Sequence, residues 1–458
     1  MKTDKALPVN KNEKYTVVIE DLTFEGLGVG KVEGYPLFIQ DSLPGEEVEI
    51  KVVNTGKKYG YGKVLKLIKS STERAEIKDE NYTRVGIAPL QHMQYPAQLA
   101  FKKKQVENAM QRIAKMPNVE ILDTIGMKTP WGYRNKAQVP VRKIGGQLTT
   151  GFFRKNSHDL VPVEDFYIQD PEIDKTILAV RDIMRKYSVK PYNEKDNTGN
   201  LRNIMVRRGY YTGEIMLVLV TRTAKLFPKS KIIPDIVEAV PGVVSIVQNI
   251  HPNQNSAILG EDAIVLYGED QYRDKLLGHT FEISHRSFYQ VNPTQTEKLY
   301  KKVLDFADLN GTETVIDAYC GIGTITLALA EKAKEVYGIE IVEPAVVDAK
   351  RNAEINGIEN VTYEVGAAED IMLEWSKKGE EAVDLLVVDP PRKGLEGQFI
   401  DAALEMGPAK MIYVSCNPST LARDLALLAE GGYKVEKIQP VDLFPQTIHI
   451  EAVALLTK

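Results

Sequence analysis

Cys416 sits in Val414-Ser415-Cys416-Asn417-Pro418, at the end of an apolar run, and Glu451 stands near the head of the last such run. Upstream, Asp317-Ala318-Tyr319-Cys320-Gly321-Ile322-Gly323 follows another apolar run and opens a helix-forming stretch. Glycines at such a turn let the backbone approach a ligand at the helix start. The turn has no third glycine at dinucleotide spacing and no Gly-Lys-Ser/Thr, which disfavours a pyrophosphate or triphosphate. Glu340 ends the next apolar run, where an acidic side chain accepts both hydroxyls of an adenosine ribose. Asp389-Pro390-Pro391-Arg392 ends a further run with a carboxylate and a rigid turn. In this order the set points to S-adenosylmethionine, whereas Cys320 reads as a small thiol that packs the turn. A thiol, a methyl donor and a base together suit the C5 position of a pyrimidine. Thiolate addition at C6 makes C5 enolate-like; C5 takes the methyl, a base removes the C5 proton, and the thiol is eliminated. A base inside structured RNA has to be flipped out first.

These residues need a sheet whose carboxyl edge gathers them. Runs TVIDAY, EVYGIE, VTYEVG, DLLVVD and KMIYVS alternate with helical stretches, which predicts a doubly wound parallel sheet. The pair KVEKIQPVDLF and HIEAVALLT predicts a closing hairpin. If its last strand runs antiparallel beside the strand that carries Cys416, residues 448 to 451 abut the thiol. Glu451 then becomes the candidate base, with His449 competing for the role. A helix start after Cys416 can favour the thiolate.

Elsewhere the chain looks built to hold a polymer. Residues 14 to 69 carry five short β-branched runs with Gly, Pro and Asn between them, as in a small OB-like barrel. From Phe101 to Lys155 there are 12 Lys+Arg against three Asp+Glu. Trp131, Tyr133, Phe152 and Phe153 interleave there with Arg134, Lys136, Arg142, Lys143, Arg154 and Lys155, a mixture suited to single-stranded or looped RNA. Residues 158 to 283 read as α+β. The whole chain of 458 residues carries a net charge of −5, which excludes a globally basic binder but not a local basic surface. Two cysteines exclude a disulfide framework and any cysteine-only metal cluster. With no apolar run of membrane-spanning length and no leader-like N-terminus, the chain reads as soluble, cytoplasmic and by default monomeric.

FEGLGVGKVEGYPLFIQDSLPGEEVEIKV resembles a TRAM domain, and Phe288-Tyr289-Gln290-Val291-Asn292 resembles the FxQxN stretch of the uracil-C5 RNA methyltransferases. DAYCGIGT resembles that family's cofactor motif, SCNPSTLARDL its nucleophile motif and FPQTIHIE its base motif. The resemblance spans nearly the whole chain and is strongest to the 23S ribosomal RNA branch. It implies a multi-domain protein: a TRAM barrel over 1–70, a central α+β RNA-binding domain over 71–280, and a Rossmann-like S-adenosylmethionine-dependent methyltransferase domain over 281–458. A helix over about 95–123 would pack on the catalytic domain. It implies Cys416 as nucleophile, Glu451 as general base, and S-adenosylmethionine contacts from Gln290, Tyr319, Glu340 and Asp389. The implied substrate is a flipped-out uridine in a single-stranded or looped part of 23S ribosomal RNA. One departure stands out. Many relatives carry a four-cysteine iron–sulfur cluster, and this chain has Asp79, Val85, Ala88 and Phe166 at those positions. No cluster is expected, and packing around Phe166 is expected to hold the central domain. The alternatives are a transfer-RNA uridine-C5 methyltransferase and, from another class, a catalytically silent RNA-binding or assembly factor.

Overall fold

The computed structural model describes residues 7–226, 228–378 and 382–458. Strands Lys14–Leu22, Gly28–Val32, Tyr35–Gln40, Glu47–Thr55 and Gly60–Lys69 close into a barrel. Alternation along them turns Val17, Ile19, Leu37, Ile39, Val48, Ile50 and Val52 inward. A Cβ on Gly30 would lie 2.9 Å from a Val17 methyl, so the tight interior requires glycine there. The barrel is tied to the chain that leaves it through Glu46, which accepts hydrogen bonds from Arg74 Nε (2.6 Å) and Nη2 (2.7 Å).

The central layer is a seven-stranded sheet in the order 262–268, 243–250, 215–221, 201–208, 136–144, 147–153, 160–162. Helices Pro171–Lys186 and Lys229–Ala239 cover one face, where Ile173, Ile177, Val180 and Ile236 meet Val139, Ile204 and Leu217. The other face joins the catalytic domain without a break. Met205, Met216 and Val218 share a core with Tyr272, Phe281, Leu299, Val303, Val414 and Val453.

The catalytic sheet runs 361–365, 335–340, 314–318, 385–388, 410–415, 451–457, 434–441, 120–121. Its first five strands are parallel and 451–457 is antiparallel to both neighbours. The fold class expected from the β-α alternation is therefore present, with a small barrel in front. The helix expected over 95–123 is shorter. It runs as α-helix over Tyr95–Ala109 and a π turn over Met110–Ala114, and ends where Lys115 turns left-handed (φ 60) ahead of Pro117. The chain then adds Glu120–Ile121 as an edge strand, parallel to Lys437 and Ile438. Val106, Met110 and Ala114 pack with Leu421, Leu425 and Ile438, so this segment is part of the catalytic layer's core.

Asp79 and Val85 bound one short helix, and Ala88 and Phe166 share one small core. Asp79 caps helix Glu80–Val85 by accepting from the Asn81 amide (2.8 Å), and Val85 ends that helix. Ala88 and Phe166 are buried together with Tyr82 and Val163. Phe166 stacks on Tyr82 with centroids 6.1 Å apart and meets Phe152 edge-on at 4.0 Å. Among the described residues, no group of three or more His, Cys, Asp or Glu side chains could hold a metal ion. Among them, too, no helix is long and apolar enough to cross a membrane.

Candidate active site

The carboxyl edge of the catalytic sheet opens into a cavity of about 680 Å³. Gln290, Tyr319, Glu340, Asp389, Cys416 and Glu451 all line it. The turn after strand 314–318 forms one wall. Tyr319 takes a left-handed conformation (φ 65) that is strained for a residue with a bulky side chain, and Gly321 and Gly323 follow with φ 56 and 85. A Cβ on Gly323 would come within 2.5 Å of the Tyr363 hydroxyl. Glu340 reaches across from the next strand, accepting from the Gly321 amide (3.1 Å) and the Val342 amide (2.9 Å).

Six acidic residues line this space, among them Asp317, Glu340, Asp389 and Glu451. Asp317 accepts from the Thr326 hydroxyl (2.6 Å) through one oxygen, and its other oxygen is buried with no partner among the described residues. Burial pushes Asp317 up to about 7 against the Thr326 hydroxyl, and Asp389 and Glu340 add to the rise. Burial alone pushes Asp389 up to about 7. A roomy cavity with buried acid groups and a glycine turn fits S-adenosylmethionine, whose sulfonium is a cation.

Cys416 follows strand Lys410–Ser415, and Ser415 pairs with Ala452 in the antiparallel register. Glu451 therefore flanks the strand end from which the thiol emerges. The net balance at Cys416 runs against the thiolate, whatever the helix start contributes. Burial and the carboxylates of Glu451 and Asp389 push Cys416 up to about 11, with Arg392 opposing them. Burial, reinforced by Asp389, also holds Glu451 well above the carboxylate range. His449, its competitor, is pushed down to about 4 by burial and by the cations Arg392, Lys102 and Arg134. It contacts Arg392 Nη2 at 3.0 Å through Nδ1. A group with so low a proton affinity is a poor base near neutral pH. Cys320 is buried, and its thiol is held far above the ordinary range by burial and the nearby acids, which suits a packing role.

Gln290 gave no signal in the residues themselves beyond its place in the resembling motif. Its carbonyl accepts from Asn135 Nδ2 (3.1 Å), while Asn292 donates to the Leu443 carbonyl (2.9 Å) and caps helix Pro293–Ala307. Phe288, 73% exposed, also borders the cavity.

A second cavity, of about 1200 Å³, lies between the barrel, the central sheet and residues 447–449, and His449 lines both spaces. Its cations include Lys63, Arg134, Lys136 and Lys155. Lys136 is pushed down to about 7 by burial, with Arg207 and Arg134 adding to the effect. The aromatic residues expected to stack bases in this region are engaged otherwise. Tyr133 is buried, Phe152 packs on Phe166, Lys78 lies over Trp131 at 4.6 Å and Arg142 over Phe153 at 5.2 Å. Accessible rings occur instead on the barrel, where Phe38, Tyr59 and Tyr61 cluster with centroids 5.1 to 5.9 Å apart. The alternating pattern of a strand did not single them out.

The sequence matches the TRAM domain family over residues 8–65 and the tRNA (Uracil-5-)-methyltransferase family over residues 272–458. A relative in Enterococcus faecalis named as an uncharacterized RNA methyltransferase is 63% identical over 454 residues, covering 99% of each chain. One of the same description in Streptococcus mutans is 50% identical over 450 residues, covering 98% of this chain and 100% of its own. Among solved structures, the Pyrococcus abyssi tRNA (uracil-54, C5)-methyltransferase in complex with S-adenosyl-L-homocysteine superposes with a TM-score of 0.77. It shares 27% identity, over 96% of this chain and 99% of that one.

Proposed function

The chain belongs to the RNA uracil-C5 methyltransferase family, which uses S-adenosylmethionine, and from that premise we propose that it methylates C5 of a flipped-out uridine in 23S ribosomal RNA through covalent catalysis by Cys416. The observation that carries this reading is the meeting of Cys416 and Glu451 at adjoining strand ends inside one acidic cavity. Cys416 starts as a thiol and gives its proton to solvent water as the sulfur attacks; Arg392 is the cation that favours the thiolate. The sulfur bonds to C6 of the uracil, and the C5=C6 electrons move toward the C4 carbonyl, which makes C5 nucleophilic. S-adenosylmethionine, when bound, supplies an electrophilic methyl group on a sulfonium. Glu451 then takes the C5 proton, the C5=C6 bond re-forms, and the Cys416 sulfur leaves. Gln290, Tyr319, Glu340 and Asp389 hold the cofactor, and Arg134 and Lys136 receive the RNA backbone beside the cavity mouth.

The likeness of the motifs to the ribosomal branch supports 23S ribosomal RNA. A second reading, transfer RNA, has its own support. The P. abyssi enzyme named for uracil-54 of tRNA aligns over nearly this whole chain, barrel region included, so a barrel does not separate the two substrates. The test supplies labelled S-adenosylmethionine with unmodified 23S ribosomal RNA and transfer RNA separately, then resolves the nucleosides. The expected label is 5-methyluridine in ribosomal RNA, reduced roughly a thousandfold or more by Cys416→Ala while cofactor binding persists. Label in transfer RNA alone would select the second reading, and label in neither would overturn both.

A further inference from the structure

Glu451 is reached through residues 442–450, a loop between the last two strands of the catalytic sheet. A loop ordinarily leaves its carbonyls to water. Here successive carbonyls are taken up by groups from other elements. Asp442 O accepts from Gln295 Nε2 (2.9 Å) and Leu443 O from Asn292 Nδ2 (2.9 Å). Phe444 O accepts from Lys102 Nζ (3.0 Å), Pro445 O from the Tyr133 hydroxyl (3.0 Å), and Gln446 O from the Leu90 amide (3.0 Å). Gln446 itself is held left-handed (φ 69) and exchanges two hydrogen bonds with the side chain of Gln98.

At the centre is an ion pair with no exposure on either side. Lys102 Nζ lies 2.5 Å from Asp442 Oδ1, and the Tyr95 hydroxyl donates to the other Asp442 oxygen at 2.9 Å. Burying two charges is a poor route to stability, because desolvation offsets most of their attraction, and apolar pairs of like volume do as well. What the ammonium does supply is direction. Its donors join positions 442 and 444 of one loop and fasten both to helix Tyr95–Ala109.

We propose that Lys102 and Asp442 are positioning residues for the general base: they fix the loop so that the Glu451 carboxylate stands where the C5 proton of the adduct will be. This rests on the reading of Glu451 as that base. Lys102, Tyr133 and Leu90 all lie outside residues 272–458, the segment matched as a methyltransferase, so that segment does not contain all that places its own base. Because proton removal follows methyl transfer, loss of position stalls the reaction after the covalent bond has formed.

The experiment compares Lys102→Met, the charge-neutral double variant Lys102→Met/Asp442→Asn, and Tyr133→Phe with Glu451→Gln. Tyr133→Phe deletes one hydroxyl and leaves the buried charges alone, so it reports even where the charge variants fail to fold. Expected are a kcat lower by about 10- to 100-fold for the Lys102 variants, smaller for Tyr133→Phe, with KM for RNA and cofactor affinity within twofold of the wild type. A methylated protein–RNA adduct should persist on a denaturing gel, as it does for Glu451→Gln. A merely structural pair would lower the melting temperature and the active fraction without that adduct. Folded variants that release product at the wild-type rate, or slow down with no adduct, overturn the positioning role while Glu451→Gln still traps. Release at the wild-type rate by Glu451→Gln overturns the base assignment and the positioning role together.

Discussion

Asp317 and Asp389 sit in the cavity with folded-state values near 7 against an ordinary 3.8, and burial is the first cause for both. A carboxyl raised on folding keeps its proton in the native state through a window where the unfolded chain has released it. Its favourable contribution is therefore complete below about 4 and is lost as pH rises through about 7, at about 1.4 kcal/mol per unit for each proton retained. The empty enzyme should thus lose stability across that window. A sulfonium in the cavity favours the ionised carboxylates, so binding should release protons near pH 6 and tighten from pH 6 to pH 8. Calorimetry in two buffers of different ionisation enthalpy measures the released protons directly, and Asp389→Asn should both weaken binding and flatten its pH dependence. A dissociation constant that does not move with pH would mean that these carboxyls do not sense the cofactor charge.

At the scale of elements, the helix Glu80–Val85 and the loop around Phe166 are joined by rings. The hydroxyl of Tyr82 accepts from the Tyr167 amide (2.7 Å), its ring stacks on Phe166, and Phe166 is 2% exposed. Phe166→Ala should remove about 3–5 kcal/mol of local stability by opening a cavity there. Hydrogen exchange should quicken over residues 80–90 and 160–168 while the catalytic sheet stays protected; unchanged exchange would deny the rings that role. The sequence made this cluster partly legible, since packing around Phe166 is what it leads one to expect there. It made the catalytic strands legible too, since a parallel sheet buried on both faces leaves continuous apolar runs such as Leu385–Val388. The position of Glu451 followed from one antiparallel strand. Other features depended on burial, which spacing does not encode. The rise of Cys416 comes from enclosure beside two carboxylates, which a helix start in the sequence does not reveal. Lys102 reads as one of three successive lysines, and nothing in that run says which one is buried against Asp442.

On the scale of the molecule, the larger cavity lies between the barrel and the central sheet, and among the described residues it shares His449 alone with the catalytic one. A strand whose uridine has entered the catalytic cavity can continue past His449 into a space lined by Lys63, Arg134, Lys136 and Lys155 on a chain that is acidic overall. Phe38 and Tyr61 border that space, with Tyr59 against them. Tyr59 and Tyr61 are 44% and 38% exposed, and rings so placed stack bases without regard to sequence. One stacked base is worth about 1–3 kcal/mol, so Tyr59→Ala/Tyr61→Ala should raise KM for RNA by about 5- to 100-fold. Cofactor affinity should stay as it was, because both rings lie on the barrel and neither lines the catalytic cavity. The same substitution should leave the salt dependence of RNA binding nearly unchanged, since that slope counts phosphate contacts made by the cations. Lys136→Met should do the reverse, flattening the slope. If the double tyrosine variant binds and methylates RNA as the wild type does, the strand leaves the active site by another route.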